Sequence, residues 1–104
     1  MNNMVFTLAD IAKKGEFGLP QNQKFSIGSG KFNDIALVDQ VGKVGATHLE
    51  IENKGDYVEI TDLGRVHGTY VNNRPVKAGD TVHVESGDEI CLGEKAYKYR
   101  LMRM

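Results

Sequence analysis

The side chains best equipped for chemistry are few and scattered: His48, His67, His83, Cys91 and the serine of Gly28-Ser29-Gly30. Metal sites place Cys and His ligands at short, repeated spacings. One cysteine and three isolated histidines make no such pattern, so neither a metal nor a cofactor is expected. Nucleophilic catalysis needs Ser or Cys beside a base, with a third group orienting that base. No such arrangement stands out, and an enzyme is not expected. Gly28-Ser29-Gly30 could pass for a phosphate loop, but no Gly-Lys-Ser/Thr and no helix-forming stretch follows it. His83, between Val82 and Val84, is expected on a solvated strand face. Cys91, between Ile90 and Leu92, is expected to be a partly packed structural thiol.

The elements that must position these residues are short strands. Leu49 and Ile51 alternate with His48, Glu50 and Glu52; Val58 and Ile60 alternate with Tyr57 and Glu59. A period of two marks a half-buried strand. Val82 and Val84, Ile90 and Leu92, and Tyr97, Tyr99 and Leu101 repeat it. The pattern predicts Leu49, Ile51, Val58, Ile60, Val82, Val84, Ile90 and Leu92 buried between two sheets. Further strands are expected at Val5–Leu8, Phe25–Ile27 and Asp34–Val38. Asn53–Asp56 and Asn72-Asn73 read as hairpin turns, because Asn tolerates the left-handed conformation. Ile11–Pro20 reads as irregular, and 9–14 has only a short helical propensity. No segment of about 10 residues or more carries a helical period. Twelve glycines and two prolines punctuate the chain, as turns between strands do. The expected class is all-β, a sandwich or barrel.

The 104 residues and 11.5 kDa suit one domain, 1–104, with its core at about 5–102. The net charge of −1 gives no global pull toward nucleic acid or an anionic membrane. No apolar run approaches the ~20 residues of a membrane span. The N-terminal Met1-Asn2-Asn3-Met4 has no basic n-region, so no signal peptide is expected. A lone cysteine fits a reducing, cytoplasmic setting, or the cytoplasmic part of a larger protein.

Four pieces in fixed order carry a resemblance: Phe25–Gly30 with Asn33–Leu37, Val44–Ile51, Ile60–Asn73 and Val84–Gly93. Together they resemble the forkhead-associated (FHA) domain, over nearly the whole chain. The resemblance implies a β-sandwich of about eleven mostly antiparallel strands in two sheets, of the SMAD/FHA kind. It implies that loops at one end of the sandwich bind a phosphothreonine peptide. It also assigns structural roles to Gly28, His48, Asp62, Gly68, Thr69 and Asn72; Asp62 and Thr69, which flank the six-residue loop Leu63–Gly68, are expected to bond its backbone, because the loop's polar groups need partners.

The phosphate-reading positions depart from the family. Its Arg after the first glycine is Ser29 here; its Ser before the motif histidine is Gly45; the next residue is Ala46; its peptide-gripping Asn is His67, preceded by Val66. Phosphate recognition calls for a bidentate Arg, a hydroxyl and backbone N–H groups. The candidate partner-binding loops are therefore Ser29, Gly30, Lys31, Lys43, Gly45, Ala46, Thr47, Arg65, Val66 and His67. Two readings follow. In the first, the chain is a protein-interaction module that works without phosphorylation, in an assembly such as a bacterial secretion-system ring. In the second, it reads phosphothreonine in kinase signalling through Lys31, Lys43, Arg65 and His67.

Overall fold

A computed structural model describes residues 6–10, 15–38, 42–64, 68–93 and 97–103. Eleven strands run in chain order: β1 (Phe6–Asp10), β2 (Gly15–Leu19), β3 (Lys24–Gly28), β4 (Ile35–Ala36), β5 (Leu49–Asn53), β6 (Val58–Asp62), β7 (Thr69–Val71), β8 (Arg74–Val76), β9 (Thr81–Val84), β10 (Glu89–Leu92) and β11 (Tyr97–Arg103). They form two sheets, ordered β2-β1-β11-β10-β7-β8 and β4-β3-β5-β6-β9. All the strand pairs are antiparallel except β3–β4. No helix of the described residues is long and apolar enough to cross a membrane.

The alternation read from sequence sets the core. β5 and β6 each show buried residues at every second position, and the register brings Ile51 opposite Ile60. Leu8, Ile27, Leu49, Val58, Ile60, Val84, Leu92 and Leu101 are completely buried. A register slip of one residue would turn such a row to solvent, so the pattern holds the pairing in place.

Four expectations need correction. Ile11–Pro20 is not irregular throughout: Gly15–Leu19 pairs with β1 as β2, and Leu19 enters the core. The helical propensity of 9–14 loses to this pairing where the stretch is described, since β1 runs to Asp10; residues 11–14 lie outside the described set. Val82 is half-buried rather than buried, because β9 is an edge strand. Cys91 is fully buried rather than partly packed. Its cross-strand neighbours, Tyr70 and Lys98, share its face with longer side chains. The Asn72-Asn73 turn adopts φ of 50° and 67° and closes the β7–β8 hairpin.

Candidate functional site

Described parts of three connections meet at one end of the sandwich: residues 29–30 after β3, residues 44–48 before β5, and Gly68 before β7. Their bonding starts from Gly28. A Cβ there would strike the Ala46 carbonyl, so only glycine lets the two backbones approach this closely. The contact then becomes a ladder. Ser29 N donates to Gly45 O at 3.0 Å, and Gly30 N donates to Ala46 O at 3.0 Å. Asn33 Nδ2 donates to both Gly30 O and Ala46 O. The Ser29 hydroxyl lies 3.1 Å from Val44 O and 3.3 Å from Gly45 O. It has one proton, and carbonyls occupy it.

His48 is the hub between the second and third loops. Nearly fully buried, it accepts the Gly45 N–H at Nδ1 (3.1 Å) and meets Gly68 O at Nε2 (2.9 Å). An acceptor at Nδ1 and a carbonyl at Nε2 select the tautomer with the proton on Nε2. Gly68 O also accepts from Gly93 N at 3.1 Å, which carries the tie to the start of the turn after β10. Asp62, 2 % exposed, accepts the Gly64 N–H at 2.6 Å through Oδ1 and so fixes the backbone that leaves β6. Thr69 differs from expectation. It is fully buried, but its hydroxyl has no hydrogen-bond partner among the described residues.

The candidate residues fall into three groups. Ser29, Gly30, Gly45 and Ala46 come together, with Thr47 half-buried beside them. Lys31 is exposed in the first loop, and Lys43 is half-buried, its backbone close against Gly93. Arg65, Val66 and His67 lie outside the described residues. Asn72 belongs to the opposite end of the sandwich, where its amide bonds Asp88 Oδ1 and the Glu89 N–H, each at 3.0 Å. Sequence reasoning missed Phe32. It is 92 % exposed, with Lys31 Nζ 5.2 Å from its ring centroid. A large aromatic followed by no period-two pattern was the available signal. Among the described residues, no three His, Cys, Asp or Glu side chains gather to hold a metal ion.

Residues 25–93 match the family model described as the FHA domain. The chain belongs to the FHA domain family. Members of this family are binding modules, and the chain is an FHA protein-interaction domain. Its curated relatives include an oxoglutarate dehydrogenase inhibitor of Corynebacterium jeikeium, 37% identical over 70 residues, and the glycogen accumulation regulator GarA of Mycolicibacterium smegmatis, 36% identical over 70 residues. Each alignment covers 67% of this chain but only 42% and 39% of the relative, so the chain spans about two-fifths of their length. Among solved structures, the FHA domain of FhaA complexed with the intracellular domain of Rv3910 is 29% identical, with a TM-score of 0.78, covering 92% of this chain and 98% of that one. The FHA domain of CT664 from Chlamydia trachomatis superposes with a TM-score of 0.82 over 94% of this chain and 96% of that one. At 24% identity it supports the fold alone. A structure from work on phosphothreonine-dependent FHA domain interactions is 28% identical, with a TM-score of 0.80, and covers 94% of this chain and 95% of that one.

Proposed function

We propose that this FHA domain, a single unit over 1–104 working in the cytoplasm, binds a partner protein through its apical loops without requiring phosphothreonine. One observation carries the reading: the donors of Ser29 and Gly30 in the first loop are already used. Ser29 N, Gly30 N and the Ser29 hydroxyl all turn toward carbonyls of the 44–46 segment. Gly45 and Ala46 bring no hydroxyl, and Ser29 brings no guanidinium. A charge-assisted hydrogen bond contributes about 1.5–3 kcal/mol. Lacking two of them lowers affinity by on the order of 10² to 10⁴. Exposed Phe32 and Lys31 give the same loops a different recognition chemistry, an aromatic anchor beside a cation.

The competing reading, a phosphothreonine reader using Lys31, Lys43, Arg65 and His67, draws support from the phosphothreonine-dependent structural neighbour. Rebuilding separates the two. The triple variant Ser29→Arg, Gly45→Ser, His67→Asn restores the missing donors. It should bind a phosphothreonine peptide in a measurable micromolar-to-millimolar range, whereas wild type should show no preference over the unphosphorylated peptide. If wild type already discriminates, and Lys43→Ala, Arg65→Ala or Lys31→Ala abolishes it, the competing reading holds.

A further inference from the structure

Each sheet has two edges: β2 and β8 in one, β4 and β9 in the other. Native edges are usually blunted by brevity, Pro, Gly or charge. β4 has two residues; β8 contains Arg74 and Pro75; β2 contains Gly15, Glu16 and Gly18. β9 is Thr81-Val82-His83-Val84, with no Pro, Gly or Lys and three β-branched residues.

The direction of its backbone groups follows from the ladder. Asp62 N donates to Asp80 O at 3.2 Å, and Gly79 N donates to Asp62 O at 2.8 Å, so Asp62 bonds toward the β9 side. Bonding alternates along an antiparallel pair. With Thr61 opposite Thr81 and Ile60 opposite Val82, the groups of Val82 and Val84 turn to β6. Those of Thr81 and His83 then turn to the open side, where no described strand lies. Beside this edge is a cavity of about 560 Å³, lined in part by Val71, Arg74, Val76, Val82 and His83. The three valines are half-buried extensions of the core. Arg74 is exposed and joins no ion pair among the described residues. Asp88, also at the cavity, is occupied by Asn72 Nδ2 and Glu85 N.

We propose that β9 is a second binding edge, separate from the apical loops, which takes an extended segment of a partner protein as a further strand of the five-stranded sheet. Main-chain bonds from Thr81 and His83 supply the pairing, and alternate side chains of the segment supply specificity. Apolar residues of the segment lie over Val71, Val76 and Val82. A carboxylate of the segment meets Arg74, which makes the partner segment alternately apolar and acidic.

The test pans a displayed random peptide library of strand length, about 5–10 residues, on the immobilised chain, and titrates the enriched peptides in solution. Enriched peptides should alternate apolar residues with Asp or Glu. His83→Pro removes an outward N–H and leaves the inward ladder; it should weaken binding about tenfold or more. Arg74→Glu, a surface change that leaves the fold intact, should weaken it by a similar factor. Phe32→Ala and Ser29→Arg should leave it unchanged, which separates this edge from the apical loops. The proposal is overturned if no peptide is enriched, or if binding survives Arg74→Glu. It is equally overturned if binding is lost with Phe32→Ala, or if sedimentation shows the edge already closed by a second copy.

Discussion

The apical loops and the β8–β9 flank use their backbone donors in opposite ways. At the apex, loop is bonded to loop: Ser29 and Gly30 to Gly45 and Ala46, Gly45 to His48, and His48 to Gly68. On the flank, β9 turns alternate backbone groups away from β6, its one sheet neighbour among the described residues, and half-buried valines pack against the core beside it. The apex carries an internally bonded backbone with Phe32 and Lys31 exposed beside it. The flank offers main chain. Loops closed on themselves contribute to stability, while an open edge keeps its donors for something else. The contrast explains why mutations should fall into two classes.

The largest effect is expected at His48. His48→Ala orphans the Gly45 N–H and the Gly68 carbonyl and leaves a void, at a cost on the order of 2–4 kcal/mol. Thermal unfolding should shift down by about 10 °C or more. Asp62→Ala should follow at about 1–3 kcal/mol, since the Gly64 N–H loses its acceptor; a melting temperature equal to wild type would remove Asp62 from the loop scaffold. Arg74→Glu should change stability by no more than about 0.5 kcal/mol, because Arg74 is exposed on the flank. A cost like that of His48→Ala would break the distinction between the two regions. Phe32→Ala is expected to have the smallest effect on stability, since its ring is almost wholly exposed. Chemical denaturation with unchanged slope and midpoint would check this.

The fold was legible because its central strands alternate cleanly, as β5 and β6 do, and because the glycines and asparagines that the turns need are in place. β2 was obscured by Gly15 and Gly18, which carry no side chains to show a period. Cys91 and Val82 departed from expectation because alternation names a face but not what covers it. Tyr70 and Lys98 lie opposite Cys91 on its face, and an open edge leaves Val82 partly exposed. At the site, the substitutions at Ser29, Gly45 and Ala46 could be read against the family pattern. The capture of the Ser29 hydroxyl by Val44 O could not, because it depends on two loops 15 residues apart. His48 could be read as a structural tie, but its two partners, Gly45 N–H and Gly68 O, could not be named from the sequence.

The central claim is that the apex binds protein without reading phosphate. Titration of the wild-type chain against a degenerate phosphothreonine peptide library, with the unphosphorylated library as control, tests it most directly. The closed donor ladder predicts equal, weak signals from both libraries. Low-micromolar binding confined to the phosphorylated library would contradict it and would show that cations such as Lys31, Lys43 or Arg65 have taken over the phosphate.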